Sequence, residues 1–238
     1  MNMKQLFTLL VLMTLAVSAN SQWWFDAGVK GAYGPTMMYD QNVFDDGDYK
    51  HALSTGTSIG GRLGFNYGYH VGLSVEYAGS TSNQDFNYQN QDPFNSFKWK
   101  TNDLATLFRY SGNGAYVEVG AKFSNVKSVE LTTLDQPTQD VSENFNKNYT
   151  SGIFGFGSYL MGSELLTLNL GIRVHWGFTD MVNDAGKEAG YPIVVESLKD
   201  PSKKTLATAA QLQGELNYAF GRFSKEACHD RWKLILFQ

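Results

Sequence analysis

Several residue types and patterns are scarce in this sequence of 238 residues. It has one cysteine, which excludes an intramolecular disulfide, and five prolines, which are too few for a proline-rich chain. Charged residues make up 18% and the formal net charge is −4, so nucleic-acid binding is not expected. After residue 22 no apolar run is long enough for a membrane helix. What is plentiful is glycine, with 24 residues, and aromatic residues at 14%, a composition that favours β-structure over disorder.

The first 21 residues have the pattern of a secretory signal peptide. Lys4 supplies the positive charge, Leu6–Val17 is apolar apart from two threonines, and small residues around Ala19 offer a cleavage site before Gln22. Twelve apolar residues are too short to cross a hydrocarbon core of ~30 Å as a helix. The sequence therefore predicts export without an N-terminal membrane anchor.

The chain after the signal peptide alternates apolar with polar residues or glycine at a period of two, which predicts β-strands. The clearest case is Leu166–Phe178, where Leu, Ile, Val, Trp and Phe occupy every second position without exception. Eight such strands are predicted. They are Phe25–Tyr33, Ser58–Tyr67, Val71–Tyr77, Asn102–Tyr110, Ala115–Ser124, Ser151–Leu160, Leu166–Phe178 and Thr205–Phe220.

The connections between these strands alternate between short and long. Residues 68–70, 111–114 and 161–164 are tight turns with glycine or asparagine available for positive φ. Residues 34–57, 78–101, 125–150 and 179–204 are long, polar and, by their sequence, irregular loops. This alternation is typical of an all-β fold: an eight-stranded antiparallel up-and-down transmembrane β-barrel with short periplasmic turns and four long extracellular loops.

The two faces of the predicted strands differ in a way that fixes which one lines the barrel. One face carries bulky apolar and aromatic side chains, such as Phe65, Phe108 and Trp176, and the other carries glycine, small polar residues and charges. An eight-stranded barrel is only wide enough inside for side chains. The small polar face therefore fits the interior, and the apolar face is expected to meet lipid.

Charged residues on the polar face are balanced in sign, which predicts a lumen filled by ion pairs. Buried charges are costly unless they are paired and hydrogen-bonded. The predicted network consists of Asp26, Lys30, Arg62, Glu76, Asp103, Arg109, Glu118, Lys122, Arg173 and Glu215, with His175 among them.

The signal peptide, the opening strand Phe25–Gly31 and the alternating connections resemble the small OmpA/OmpX-type barrels of Gram-negative outer membranes, the outer membrane protein β-barrel or porin family. The resemblance covers the chain from Trp23 to about Phe223. It implies residence in the cell outer membrane, contact with outer-membrane lipid and insertion by the barrel assembly machinery. These features specify architecture well and activity poorly.

The C-terminus departs from this family, whose members commonly end on an aromatic residue of the last strand. Here residues 22–223 form the predicted barrel and residues 224–238 follow it as a tail, with Cys228 as a free thiol. An alternative partition makes Trp232–Gln238 a closing strand. A further short strand is possible at Tyr191–Leu198, as part of a hairpin beyond the membrane.

Candidate chemical sites are sparse. The four histidines are not at metal-ligand spacing, and no serine lies beside His175, so neither a metal, a cofactor nor catalysis is expected. The aspartates of the first loop, Asp40, Asp45, Asp46 and Asp48, do not match a calcium-binding loop and indicate a solvated acidic segment.

The second loop mixes aromatic rings with amides, a combination that can bind sugars or a partner surface but can equally pack internally above the barrel. Its rings are Phe86, Tyr88, Phe94, Phe97 and Trp99. We expect a non-enzymatic outer-membrane barrel with a plugged lumen and a structural or surface-interaction role through its loops. The alternatives are a narrow diffusion channel and a soluble periplasmic barrel that binds an apolar ligand.

Overall fold

The computed structural model describes residues 23–45, 48–68, 70–89, 91–163, 165–192, 200, 202–220 and 233–234. Eight long strands dominate it. They are β1 (Trp23–Asp40), β2 (Ser54–Tyr67), β3 (Val71–Tyr88), β4 (Gln91–Gly112), β5 (Ala115–Thr133), β6 (Asn148–Gly162), β7 (Leu166–Gly177) and β8 (Thr205–Phe220).

Each long strand pairs antiparallel with its neighbours in sequence, and β8 pairs with β1 to close the ring. The closing register runs from Phe25 opposite Phe220 to Asp40 opposite Thr205. The predicted eight-stranded up-and-down barrel is thus confirmed, and it is β8 that closes the ring. Closure satisfies the backbone hydrogen bonds of every strand and leaves no open sheet edge in the wall.

The orientation of the strands follows the predicted alternation. On β7, Ile172, Val174 and Trp176 are exposed on the outer wall, whereas Arg173 between them is 1% exposed and points into the lumen. The same contrast holds around the ring, because each of the eight strands has exposed large hydrophobic side chains at its outward positions. A water-soluble barrel buries its apolar face, and this barrel is the inverse.

Tight turns join the strands at one end of the barrel, which we call the turn end. Asn113 and Gly114 connect β4 to β5 and both have positive φ, of 51° and 77°. Two consecutive residues with positive φ give the turn a twist that matches that of the flanking strands, and Asn-Gly adopts this conformation at little cost.

The opposite end, which we call the loop end, differs from the sequence prediction in one respect. Its connections are long, as predicted, but those that follow β1, β3 and β5 begin as regular strand continuations and are not irregular throughout. β1 continues to Asp40, and β3 and β4 continue into a hairpin whose strands end at Tyr88 and begin at Gln91. β5 likewise continues to Thr133. Over β1–β5 the wall therefore extends above the predicted strands, and we call this extension the hairpin wall. β6, β7 and β8 keep close to their predicted bounds.

Short elements cover this wall. They are the strands Tyr49–His51 and Gln139–Asp140, the helices α1 (Gln41–Asp45) and α2 (Asp184–Glu188), and a 3-10 turn at Ser142–Asn144. Neither helix has the length or apolar composition needed to cross a membrane, within the described part of the chain.

At the turn end, Lys233–Leu234 pairs with Met161–Gly162, beside the closed ring. The predicted signal peptide, Asp46, Cys228 and most of the predicted tail lie outside the described residues. The same holds for the proposed strand at Tyr191–Leu198, of which only the first two residues are described, as a turn.

Candidate functional site

The lumen is the candidate site, and it has three layers. A cavity of about 320 Å³ opens at the turn end. Above it lies an ion-pair network, which we define as Lys30, Glu76, Arg109, Glu118, Arg173 and Glu215. A layer of buried apolar side chains, which we call the loop cluster, closes the loop end.

Arg173 on β7 is the centre of the ion-pair network. Its Nη1 and Nη2 donate to the two carboxylate oxygens of Glu76 at 2.6 and 2.8 Å, in bidentate geometry. Its Nε donates to Glu118, and Nη2 also reaches Glu215 at 3.3 Å. The guanidinium thus ties together carboxylates from β3, β5 and β8, across the lumen. Charge-assisted bidentate hydrogen bonds of this kind are among the strongest in proteins.

Arg109 provides a second centre from β4. Its Nη2 donates to Glu118 at 2.7 Å and to Glu215 at 2.9 Å, and its guanidinium lies 4.1 Å from the centre of the Tyr116 ring. Lys30 on β1 completes the set with a bond to Glu76. Three cations meet three carboxylates, so the network carries no net charge at neutral pH. Neutrality is what allows these ions to be buried without a large penalty.

β6 has a glycine, and not a charged residue, at the inward position beside the network. A Cβ added to Gly155 would lie 2.7 Å from the Glu118 carboxylate and 3.0 Å from the Arg173 side chain. Gly64 has the same function beside Asp26, whose carboxylate would lie 2.6 Å from an added Cβ. Glycine at these inward positions lets the long side chains reach across the narrow lumen.

The remaining predicted lumen charges form separate pairs on either side of the network. On the turn side, Arg62 donates to Asp26 at 2.6 Å, and Asn66 donates to the other oxygen of the same carboxylate. On the loop side, Lys122 lies 3.6 Å from Asp103. All the predicted charged residues therefore point inward, but they form a central network with two satellite pairs and not a single cluster.

His175 points into the lumen next to a cavity of about 40 Å³, which has room for one or two water molecules. Its Nδ1 is buried and has no hydrogen-bond partner among the residues that the structure describes. Lys30, Lys122 and Arg173 line the same cavity. Within the described segments no group of three or more His, Cys, Asp or Glu side chains is arranged to hold a metal ion.

The loop cluster holds most of the aromatic rings that the sequence marked as a possible binding surface. Phe86, Phe97 and Trp99 are at most 2% exposed, and Tyr88 and Phe94 pack against them. The prediction that these rings form a ligand-binding surface is wrong for Phe86, Phe97 and Trp99, because their side chains are not accessible from solvent. They pack internally, as the alternative interpretation expected. The other members are Met38, Val43, Tyr49, Val129, Leu131, Val141, Phe145, Tyr149, Met181, Val182 and Ala207.

Two polar side chains next to the loop cluster, Gln84 and His51, are hydrogen-bonded. Gln84 is fully buried; its side chain accepts from the backbone N–H of Met38 and donates to the carbonyl oxygens of Ala52 and Asp85. His51 makes a 3.0 Å hydrogen bond between Nε2 and the carbonyl oxygen of Met38. Burial lowers the pKa of His51 below its usual value, although the bond to Met38 and the charge of Asp40 act in the opposite direction.

The sequence carries a signal for the inward packing of the loop cluster in the alternation of β3. On β3, Glu76, Gln84 and Phe86 share the inward parity, so the period of two continues unbroken into the predicted loop. What changes is which face of the strand carries the polar residues and which carries the apolar ones. Above the apolar band the outward positions are polar, as at Asn83 and Asp85, and the inward ones become apolar. A strand that leaves lipid for water reverses its pattern in this way, because its outer face now meets water.

Comparison of the sequence with protein-family models and with curated proteins finds no match. Among solved structures the chain is similar to Neisserial surface protein A, with 11% identity over 82% of this chain and 97% of that chain, at a TM-score of 0.42. It is also similar to the outer membrane protein AlkL in lipid bilayers, with 12% identity, coverages of 88% and 94%, and a TM-score of 0.39. A third is the outer membrane protease OmpT from Escherichia coli, with 10% identity, coverages of 85% and 97%, and a TM-score of 0.34. The fold itself rests on the closed ring of this chain: an eight-stranded antiparallel barrel with an apolar exterior and an ion-paired lumen.

Proposed function

We propose that the protein is a non-enzymatic integral barrel of the outer membrane, whose lumen is closed and whose loop end carries a structural or surface-interaction role. The observation that carries the proposal is the order of layers along the lumen. The ion-pair network fills the middle, the loop cluster covers the loop end, and a cavity of about 40 Å³ lies between the two. An ion that entered from the turn end would meet two barriers in series.

The outer wall supports the proposed location. Side chains such as Val29, Ile59 and Leu63 are at least 64% exposed, which is costly in water and favourable in hydrocarbon. Export by the predicted signal peptide and closure of the barrel both fit an outer membrane. The loop end would then face outward, and the hairpin wall would offer polar side chains to a partner.

Two measurements test location and closure separately. Folded protein is expected in the detergent-requiring outer-membrane fraction and to migrate differently on gels before and after heating. In planar bilayers the purified protein is expected to give no steady openings, with a general porin in the same bilayer as the positive control. Steady single-channel openings from the pure protein would overturn the closed lumen in favour of a narrow diffusion channel.

The proposal that the protein is not an enzyme is supported by the setting of His175. The ring lies beside a cavity lined by the cations Lys30, Lys122 and Arg173, by the carboxylates of Glu76 and Asp103, and by serine and threonine hydroxyls. Nucleophilic catalysis needs a hydroxyl or thiol within reach of the histidine, and His175 Nδ1 has no partner in the described chain. Lipid or peptide turnover that disappears in His175→Ala would contradict this proposal.

A further inference from the structure

The outer wall of the barrel carries a groove of about 580 Å³ near the loop end, where β4, β5 and β6 lie side by side. It shares Tyr149 with the small cavity in the lumen. Most of its residues come from adjacent strands in register, so the sheet itself fixes their relative positions. The groove crosses the level at which the outer surface changes from apolar to polar.

The turn-side half of the groove is apolar. Tyr77 pairs with Leu104, and Leu104 pairs with Phe123, so the three side chains form one row across β3, β4 and β5. All three are about half exposed on the outer wall. They are the last large apolar residues on the outward face of their strands before the polar region begins. This row suits the upper part of an acyl chain.

The loop-side half begins with a row of three asparagines. Asn102 pairs with Asn125, and Asn125 pairs with Asn148, directly above the apolar row. Asn125 donates from Nδ2 to the Oδ1 of Asn148 at 2.8 Å, which holds these two amides in a shared orientation. Amides offer both donors and acceptors, the chemistry that matches the hydroxyl groups of a sugar.

Lysines stand above the asparagine row. Lys127 is the extra residue where the β4–β5 register shifts, and it lines the groove. Lys147 lies beside it, because its carbonyl oxygen accepts from the backbone N–H of Val126. Both side chains are exposed, and no described carboxylate forms a salt bridge with either.

The one carboxylate that lines the groove is already neutralised. Asp180 pairs with Lys187 at 2.6 Å. The groove therefore presents uncompensated positive charge above neutral amides, and amides above an apolar row.

From this order of apolar, amide and cationic groups we infer that the groove binds a lipid with a phosphorylated sugar headgroup in the membrane leaflet at the loop end. The acyl chain lies on Tyr77, Leu104 and Phe123. The sugar hydroxyls meet the asparagine row, and a phosphate meets Lys127 and Lys147. The inference rests on the proposed membrane location, since the apolar row has this role only if lipid surrounds it.

The test uses the purified full chain in a non-ionic detergent, titrated with a diphosphorylated, acylated glucosamine disaccharide. Native mass spectrometry counts the bound lipid at each concentration. We expect one preferred lipid per barrel and affinity weakened about tenfold or more for the dephosphorylated form, because each lysine near a membrane surface contributes substantially to anionic lipid binding. Water-soluble glucosamine phosphate is expected to bind far more weakly, since it lacks the acyl chains.

Variants separate the charged from the amide contribution. The double variant Lys127→Gln/Lys147→Gln is expected to bind the disaccharide lipid about tenfold or more weakly. The matched control is Lys50→Gln/Lys204→Gln, which removes two exposed lysines of the loop end outside the groove and is expected to bind as the natural chain does. Asn125→Ala is expected to reduce the preference for the disaccharide lipid over phosphatidylglycerol, which has phosphate but no sugar ring.

Heat-modifiable gel migration of each variant shows that the barrel is folded before lipid binding is compared. Equal binding by the natural chain and the Lys127/Lys147 variant, with both barrels folded, overturns this inference and leaves the proposed function intact. Equal loss in both lysine double variants also overturns it, because the effect would then be one of net charge. Extraction of the folded protein without detergent would instead remove the proposed function.

Discussion

At the scale of single residues, Arg173 offers the sharpest test of the ion-pair network. Replacing it by methionine keeps an unbranched apolar stem, without the guanidinium group, and leaves Glu76 and Glu118 without their central cation. Removing one partner of a buried ion pair typically costs about 3–5 kcal/mol, because the remaining charge stays buried and uncompensated. We expect Arg173→Met to lower the free energy of unfolding by that amount, measured by urea titration in micelles.

The matched control for this prediction is Lys100→Met. Lys100 also faces a carboxylate, Glu130, but at 3.9 Å and with both side chains well exposed. Exposed pairs contribute at most about 1 kcal/mol, so little change is expected. If both substitutions had the same small effect, the network would not contribute to stability as its geometry requires.

A second residue-scale prediction concerns His51 and pH. Burial against Phe44 and Phe86 lowers its pKa, so the folded protein resists protonating this ring. As pH falls below the usual histidine value of about 6.5, the unfolded state takes up a proton that the folded state does not. The stabilisation is therefore present above that value and is lost as pH falls. We expect the loop end to become more sensitive to proteolysis between pH 7 and pH 5, an interval of about two units chosen around the titration of histidine.

His51→Gln is the control for the pH prediction. Glutamine does not titrate and retains an N–H that can donate to the carbonyl oxygen of Met38. Cleavage of this variant is expected to vary less with pH than cleavage of the natural chain. An identical pH profile in the two proteins would assign the sensitivity to another group.

At the scale of elements, the register shift in β5 allows a prediction about deletions. Thr101 pairs with Val126 and Lys100 pairs with Ser128, so Lys127 is extra to the ladder. Deleting Lys127 restores regular pairing and keeps Val129 inward. We expect this deletion to preserve the loop cluster, because a bulge residue is not needed to maintain the register above it.

Deleting Lys98 from β4 is the contrasting case. Lys98 pairs directly with Glu130, so its loss shifts the preceding residues by one position. A shift of one residue reverses the faces of a strand, and Phe97 would move from the loop cluster to the outer wall. We expect increased proteolysis of the loop end for this deletion and not for the deletion of Lys127, with both barrels still heat-modifiable.

The bounds of the strands also show which parts of the fold can be predicted from the sequence. Alternation along Leu166–Phe178 was sufficient to predict β7 and the inward side of Arg173, because lipid imposes a strict period of two. It did not predict that β3 runs on to Tyr88, because the apolar side chains there, such as Phe86, occupy the inward face. A search for strands with apolar residues on the outward face therefore misses the part of a strand that water surrounds, because there the apolar residues face inward. The ion-pair partners within the network could not be predicted from the sequence either, because residues such as Arg173 and Glu76 are 97 positions apart.

At the scale of the whole molecule, the apolar side chains lie outside the ring of strands in its lower part and inside it in its upper part. In its lower part the outside is apolar and the inside is a balanced set of ions. In its upper part the outside is polar and the inside is an apolar cluster. The same backbone wall runs through both, so the loop end behaves as a small water-soluble core built on a membrane barrel. The proposed closure of the lumen rests on this arrangement, because a packed apolar core has no room for a channel.

This arrangement predicts that the effect of a charge on the outer wall depends on its height along a strand. Val119 and Thr132 both face outward on β5, but Val119 lies between the outward rings Phe108 and Phe154, whereas Thr132 lies on the hairpin wall. An arginine near the middle of the lipid costs about 2–4 kcal/mol, and one near or beyond the interface costs little. We expect Val119→Arg to lower the free energy of unfolding in phospholipid vesicles by that amount and Thr132→Arg to leave it nearly unchanged. In a barrel surrounded by water both positions would tolerate arginine equally, so equal effects of the two substitutions would contradict the membrane location.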